Sequence, residues 1–277
     1  MNILIAINNA YIDYAKTMLY SLKINNPVEY DIYLMYNQLN RQGIQSMQKF
    51  CSQNSMQLHP IHVADTELEG MTLGNAHFSI EMYYRIFVQK YVPETLDRIL
   101  WLDADIVVDG SITEFYNMDM DGQLIAACAD CGWNSEETVI RCKNKLNLPE
   151  EHVYFNSGVI LFDLNAIRKQ LEFGTILDTL KRYQDVLVFP DQDILNVLYD
   201  GKTKMISKRF NYQIGLERKK ADVQKDAAVV LHFTGSVKPW HPNYEAYCAE
   251  YYWKYALKRG QWINFLKMWF HRIIDRK

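Results

Sequence analysis

Most of what the sequence says about the fold follows from ten residues, RILWLDADIV at positions 98–107. The four apolar residues after Arg98 predict a strand that is buried on both faces. Two acids, Asp103 and Asp105, follow directly, so carboxylates are expected at the carboxyl end of that strand. In open α/β sheets the ligand crevice lies outside the carboxyl ends of the strands. The pattern therefore predicts a ligand site at the edge of an α/β sheet.

The flanking sequence alternates between strand and helix patterns. Upstream, strands are predicted at Asn2–Ile7, Tyr30–Tyr36 and Met56–His62, with apolar residues at helical spacing between them. Further strands are expected at 123–129, 153–162 and 228–233, and helices at 41–53, 80–90, 135–145, 164–183 and 192–198. This alternation predicts an α/β domain with a largely parallel sheet.

Composition excludes some classes of function. The chain has 277 residues, 49% hydrophobic and 23% charged, with a formal net charge of −3. A nucleic-acid-binding protein would usually carry a basic face, so that class is not expected. Five scattered cysteines favour a reducing cytoplasm over a disulfide framework. We expect neither a secretory signal nor a membrane-spanning run.

A nucleotide-binding α/β domain must neutralise phosphate charge, and the usual device is absent. Neither G-x-G-x-x-G nor G-x-x-x-x-G-K-[ST] occurs in the sequence. Asp103 and Asp105 offer another device, because hard oxygen ligands two residues apart can hold a divalent ion that bridges a diphosphate. A helix cap or a solvated turn is the competing interpretation of such a pair.

A second group of suitable residues lies far downstream, in the segment HFTGSVKPW at 232–240. His232 offers an imidazole ligand, Gly235 allows a close approach of the backbone, and Lys238 supplies a cation for phosphate. Together with the two acids, these residues favour a metal-assisted diphosphate site.

Six motifs spread over nearly the whole chain share one pattern. They are Tyr11, Tyr84-Arg85 and the segments 102–107, 155–159, 191–196 and 232–240. In this order and approximate spacing they resemble glycosyltransferase family 8, which includes bacterial lipopolysaccharide galactosyl- and glucosyltransferases and glycogenin. The resemblance implies a GT-A fold, Rossmann-like with a helical C-terminal extension. It also implies retaining transfer of a hexose from UDP-galactose or UDP-glucose to a cell-surface glycan or glycolipid, as in lipopolysaccharide biosynthesis.

The resemblance further implies roles for individual residues. Mn²⁺ or a similar divalent cation would be held by Asp103, Asp105 and His232, with Asp103 also close to the donor. The donor would be bound by Asn8 and Tyr11 at the uridine, by Gly235 and Lys238 at the diphosphate, and by Arg85, Asp130, Asn156, Ser157, Asp191 and Gln192 around the sugar. Where the family often has Asp-Asp-Asn-Tyr, this chain has Asn8-Asn9-Ala10-Tyr11. The amide of Asn8 can still bond the uracil edge, since it both donates and accepts.

Catalytic roles are implied for Gln192, Asp191 and Arg85. A retaining transfer proceeds either by two inversions through a covalent sugar or by one front-face substitution. By the resemblance, Gln192 would lie beneath the anomeric carbon, with Asp191 as the nearby acid. Because a neutral amide is a poor nucleophile, we expect front-face transfer in which Gln192 stabilises positive charge on the sugar.

Simpler interpretations of the same residues remain open at this point. Arg85 could be a surface arginine on a helix, and Asn156 could pair with a neighbouring loop. Asp191 and Gln192 follow a proline, where acids are common as helix caps, and Asp130 could merely end a strand. Two other functions also remain open: a haloacid-dehalogenase-type phosphohydrolase and a non-catalytic nucleotide-sugar-binding protein.

The C-terminal residues differ from the rest of the chain. We expect a catalytic domain at 1–245 and a basic, aromatic helical tail at 246–277. From Tyr251 onward, seven Lys or Arg residues stand against one acid and interleave with aromatic residues. Such a tail suits peripheral contact with the anionic inner face of a membrane. Packing of its aromatic residues on the core is the alternative.

Overall fold

A computed structural model describes residues 1–64, 80–131, 136–215, 220–245 and 247–274. The first part alternates strand and helix, with β1 at Asn2–Ala6, α1 at Ile12–Asn25, β2 at Tyr30–Tyr36, α2 at Arg41–Gln53 and β3 at Met56–His62. Helix α2 begins where the Asn40 side chain accepts a hydrogen bond from the Gly43 amide at 2.7 Å, an N-cap. The predicted βαβαβ opening is confirmed.

The remaining elements include several short ones. A 3₁₀ segment at Ile80–Phe87 runs into α3. The others are α3 (Val88–Tyr91), β4 (Arg98–Leu102), β5 (Ile106–Val108), α4 (Thr113–Tyr116), β6 (Ile125–Ala129), α5 (Glu136–Leu146), β7 (Phe155–Asp163), α6 (Leu164–Gln170), α7 (Phe173–Tyr183), α8 (Pro190–Leu198), β8 (Thr203–Met205), β9 (Tyr212–Gln213), α9 (Lys220–Lys225), β10 (Val230–His232), α10 (Ala249–Lys258) and α11 (Trp262–Ile274).

The main sheet has seven strands in the order β3-β2-β1-β4-β7-β6-β8. All neighbours are parallel except β7, which runs antiparallel to both β4 and β6. Strand β4 is buried on both faces: Leu100 and Leu102 contact one apolar cluster, and Ile99 and Trp101 contact the other. The largely parallel, two-sided sheet agrees with the sequence-based expectation.

A second, three-stranded sheet has the order β5-β10-β9 and was not predicted. Strand β10 pairs antiparallel with β5, which places His232 opposite Ile106. It pairs parallel with β9, which places His232 beside Gln213. Since Ile106 follows Asp105 directly, this small sheet brings the distant imidazole next to the acidic pair.

The predicted helix at 164–183 is two helices, α6 and α7, separated at residues 171–172. Leu171 and Ile176 are both buried, but they are five residues apart. A continuous helix repeats its buried face every three or four residues, so this spacing cannot be met without a break. The change in the spacing of apolar residues between Leu171 and Ile176 was visible in the sequence, but the predicted single helix did not take it into account.

The C-terminal region contributes to the core before it reaches the surface. In α10, Trp253 and Tyr255 are buried, and the Trp253 Nε1 donates to the Pro239 carbonyl at 3.1 Å. The Tyr255 hydroxyl accepts from Asn25 at 2.7 Å. The aromatic residues of α10 therefore pack on the core, which was the alternative to membrane contact for the tail. Helix α11, by contrast, exposes most of its aromatic side chains. None of the helices in the described ranges is both long and apolar enough to cross a membrane.

Candidate functional site

Three side chains with metal-ligating atoms converge where β4 ends. Asp103, Asp105 and His232 each offer one ligand atom, and these atoms lie within 4.8 Å of one another. Nε2 of His232 is 3.4 Å from an Asp105 oxygen and 3.8 Å from an Asp103 oxygen. The connection between β4 and β5 is fixed by backbone bonds from the Asp103 amide to the Gly158 carbonyl and from the Phe233 amide to the Asp105 carbonyl, both 3.0 Å. The acids are thus held by two sheets rather than by a free turn.

The imidazole of His232 is oriented by a buried amide. Its Nδ1 donates to the Asn211 Oδ1 at 3.0 Å, and the Asn211 Nδ2 donates to the Asn156 Oδ1 at 2.8 Å. Because the Asn211 amide nitrogen is used by Asn156, its oxygen must face the imidazole. The proton is therefore assigned to Nδ1, which leaves the lone pair of Nε2 directed at the two carboxylates. Sequence reasoning missed Asn211, which lies outside every motif.

Gly158 in β7 is the closest neighbour of this cluster. A Cβ at this position would lie 2.2 Å from Cε1 of His232, 2.7 Å from Nδ1 and 2.9 Å from an Asp103 oxygen. Only glycine fits here with the ligands in place. Gly158 was part of a motif but received no role; a glycine inside an apolar strand, which often marks a close approach, was the available signal.

Two buried cations neutralise the acids. The Arg85 guanidinium is 2.8 Å from Asp103, donates to the Ser157 carbonyl at 2.6 Å and stacks 4.3 Å from the ring centroid of Trp101. Nζ of Lys238 is 2.5 Å from Asp105. Arg85 is 4% exposed, so the interpretation as a surface arginine is wrong. No sequence pattern indicated the contribution of Trp101, whose Nε1 also donates to Asp103 at 2.8 Å.

The charges of these groups depend on each other. Burial raises the pKa of Asp105, but the ammonium of Lys238 lowers it below its usual range. Asp105 is therefore ionised at neutral pH and available as a ligand. The pKa of Tyr11 is raised to about 12 by burial and then by Asp105, so its hydroxyl stays neutral.

A buried group of polar side chains adjoins the cations. Gln192 Oε1 accepts from the Asn156 side chain and from the Ser157 amide, both at 3.1 Å, and its Nε2 donates to Asp130 at 2.6 Å. Asp191 accepts from the Ser157 hydroxyl at 3.0 Å. The predicted sugar-binding residues are therefore one hydrogen-bonded cluster, and Asp130 is part of it.

Asp191 does not act as a helix cap. It lies 3.3 Å from the Arg85 guanidinium, and burial raises its pKa to about 6 although Arg85 lowers it. The N-cap position of α8 is Phe189, and Asp193 in the first turn accepts from the two amides just before the helix, Val188 at 2.6 Å and Phe189 at 3.0 Å. The capping interpretation of Asp191 is therefore wrong.

A cavity of about 250 Å³ opens beside the metal-ligating cluster, lined among others by Asn8, Tyr11, Arg85, Asp103 and Asp105. The Asn8 side chain also accepts from the Ala10 amide at 3.0 Å, which caps a short 3₁₀ turn at Asn9–Tyr11. The predicted uridine-side residues thus share a cavity with two of the predicted metal ligands.

Gly235 is placed differently from the other predicted residues. It lies in the loop after β10 and does not line the cavity. Its φ of 89° is a left-handed conformation that favours glycine, and it turns the chain so that Lys238 can reach Asp105. The structure supports a conformational role for Gly235 and brings only Lys238 to the cluster.

Comparison with known proteins gives consistent results. The profile of glycosyl transferase family 8 matches residues 2–244. A lipopolysaccharide 1,2-glucosyltransferase of Escherichia coli K12 is 28% identical over 271 residues, covering 95% of this chain and 79% of the relative. A lipopolysaccharide 1,3-galactosyltransferase of Salmonella typhimurium LT2 is 27% identical over 216 residues, covering 73% of this chain and 61% of the relative.

Solved structures share the fold. The galactosyltransferase LgtC, in complex with donor and acceptor sugar analogues, superposes with a TM-score of 0.78 at 24% identity, covering 93% of this chain and 96% of that chain. The glycosyltransferase GlyE of Streptococcus pneumoniae TIGR4 superposes with a TM-score of 0.68 at 21% identity, covering 99% and 64%. The architecture is therefore the GT-A type that the sequence predicted.

Proposed function

Because the chain belongs to glycosyltransferase family 8 and is a hexosyltransferase, we propose that it transfers glucose or galactose from a UDP-sugar to an acceptor hydroxyl with retention of configuration. The observation that carries this proposal is the convergence of Asp103, Asp105 and His232 beside a cavity at the carboxyl end of β4. This is where ligands bind in open α/β sheets.

The donor set suits a divalent cation such as Mn²⁺. Two carboxylates and one imidazole are ligands that this class of ion accepts. The hydrogen bond from His232 to Asn211 orients the imidazole so that its other nitrogen can bind the ion. When bound, such an ion neutralises charge that builds on the departing diphosphate. Lys238 adds a cation at the same place, so the leaving group needs no separate general acid.

The residues around the sugar favour a single front-face step. Gln192 is held rigidly, because its oxygen accepts two hydrogen bonds and its nitrogen donates to Asp130. Asp191 is 1% exposed and engaged by Arg85 and Ser157, so its carboxylate is poorly available as a nucleophile. In this proposal the diphosphate takes the acceptor proton and Gln192 stabilises positive charge on the sugar.

The acceptor class follows from the relatives. Two of them are named for transfer onto lipopolysaccharide, one of glucose and one of galactose. We therefore propose a sugar hydroxyl of a bacterial cell-surface glycan or glycolipid as the acceptor. The choice between the two donors depends on the configuration of one hydroxyl and is left to experiment.

A donor panel tests the proposal. The purified chain is incubated with UDP-glucose, UDP-galactose and GDP-mannose, with Mn²⁺ or with excess chelator, and release of nucleoside diphosphate is measured. We expect Mn²⁺-dependent release of UDP and near-complete loss of turnover in Asp103→Asn and Asp105→Asn. Asp178→Asn, on the exposed face of α7, is the matched control and should keep full activity.

Several outcomes would contradict the proposal. Full turnover in chelator would remove the metal assignment. Hydrolysis of simple phosphate esters without a UDP-sugar would favour a phosphohydrolase, and donor binding without turnover would favour a binding protein. The product should keep the α configuration of the donor; a β linkage by NMR would overturn retention.

A further inference from the structure

Helix α11 presents apolar side chains to solvent at a density found nowhere else in the described chain. Of the ten large hydrophobic side chains that are exposed, five belong to this helix of 13 residues. They are between 47% and 69% exposed: Trp262, Ile263, Leu266, Trp269 and Phe270. A cluster of this kind marks an interaction surface, whereas scattered exposed apolar residues do not.

The five side chains form one stripe along the helix. At about 100° per residue, they fall within one third of the helix circumference. The side of α11 that packs on the protein is a different one and includes the partly buried Phe265 and the buried Met268. The helix is therefore anchored to the domain by one side while a second, apolar side is free to contact another surface.

The surroundings of this stripe are cationic. Lys267 follows along one edge of it, beside a cavity of about 300 Å³ that Asp13 also lines, and the described part of α11 contains no acid. Between α1, α2 and the C-terminal end of α10, a cavity of about 430 Å³ is lined by Lys16, Lys49, Lys258 and Arg259 and by no acidic side chain. Arg259 is also paired with Asp13, at 3.4 Å. This end of the molecule therefore combines apolar and positively charged surface.

We propose that α11 docks the enzyme on an anionic lipid surface, with its apolar stripe in the headgroup and acyl boundary and the neighbouring cations on the lipid phosphates. A helix with a Trp- and Phe-rich side and adjoining basic residues binds in this manner. The helix would lie in the plane of the membrane rather than cross it. A second copy of the chain is a poorer occupant, because a two-fold contact through this surface would bring like charges together.

Vesicle sedimentation of the full chain tests whether the apolar stripe of α11 contributes to lipid binding. Vesicles of phosphatidylcholine alone are compared with vesicles that also contain phosphatidylglycerol. The variant Trp262→Ser/Phe270→Ser should bind the anionic vesicles at least tenfold more weakly than the unchanged chain. The matched control is Ile140→Ser/Val153→Ser, two residues of similar exposure elsewhere on the surface, which should bind normally.

Charge provides a second measurement. Raising the salt from 0.1 M to 1 M shortens the Debye length from about 10 Å to about 3 Å, so binding should weaken strongly. Lys267→Gln should weaken binding more than Lys181→Gln, which lies on the exposed side of α7. Thermal unfolding followed by circular dichroism should be unchanged in all four variants, which shows that they are folded.

Three results would overturn the proposal. They are no preference of the unchanged chain for anionic vesicles, equal binding by the stripe variant and its control, or a concentration-dependent dimer that the stripe variant abolishes. The last result would assign the stripe to self-association. None of these outcomes depends on whether the proposed donor and metal are correct.

Discussion

Substituting Gly158 by alanine should disable the metal-ligating cluster while leaving the fold intact. The added Cβ would lie 2.2 Å from Cε1 of His232, whereas ordinary contact begins at 3.4 Å. The imidazole or the strand must therefore move by roughly 1 Å. His232 cannot move without straining its bond to Asn211, because that bond joins two buried groups.

The magnitude follows from two effects. Overpacking of this size typically costs about 1–3 kcal/mol of stability, which lowers the melting temperature without unfolding the protein. A displacement of about 1 Å at a catalytic group can reduce the rate about 100-fold, which corresponds to about 2.7 kcal/mol of transition-state stabilisation. We therefore expect Gly158→Ala to lose about two orders of magnitude in turnover and to need more Mn²⁺.

The assay is Mn²⁺ titration of UDP release, with thermal unfolding followed by circular dichroism. Gly174→Ala is the control, since a Cβ there meets nothing within 4 Å and the position lies in helix α7. It should keep full activity and be slightly stabilised. Turnover and Mn²⁺ dependence of Gly158→Ala equal to those of Gly174→Ala would refute the close-approach reasoning.

Three further substitutions test other parts of the site. Gln192→Ala should lower turnover by about 10- to 100-fold, the loss expected for one stabilising contact, in steady-state UDP-release assays; an unchanged rate would exclude the charge-stabilising role. Asn211→Ala should weaken Mn²⁺ binding about 10- to 100-fold in calorimetric titration, because His232 loses the bond that orients it; an unchanged affinity would exclude that orienting role. The pKa of Asp191 is raised by burial to about 6, so the folded state binds more protons than the unfolded chain between pH 4 and 6. The contribution of Asp191 to stability should therefore fall by about 3 kcal/mol as the pH rises through that range, so the stability of Asp191→Asn relative to the unchanged chain, measured by urea unfolding, should rise by about that amount.

The elements predicted correctly from the sequence are those with a long local pattern. Strands β2 and β3 and helix α2 have the predicted bounds, because seven or more residues of regular spacing determine each of them. Strand β10 lies within the strand predicted at 228–233, but its partners β5 and β9 have only three and two residues, which is too few to show a period. The small sheet therefore became visible only in three dimensions.

The residues of the candidate site also fall into those that could be predicted from the sequence and those that could not. Asp103, Asp105 and His232 were predicted as a group by chemistry and resemblance, and the structure brings them together. Asn211 could not be predicted, because its role depends on an amide held 55 residues away in the sequence. Gly158 shows the same limit. The sequence contains both this glycine and His232, but it does not show that the two residues face each other.

Because of the two ion pairs of the site, the affinity for the metal ion should depend on whether the donor is bound, and the reverse. Asp103 is paired with Arg85, which Asp191 shares, and Asp105 is paired with Lys238, so two cations already offset most of the acidic charge of the site. A lone divalent cation would add two positive charges there, whereas a cation together with the diphosphate of a UDP-sugar, which carries two negative charges, would leave the net charge unchanged. Each ligand should then raise the affinity for the other by the same factor. Calorimetric titrations of Mn²⁺ with and without UDP would measure that factor, and a factor of one would show that the ion pairs do not couple the two ligands.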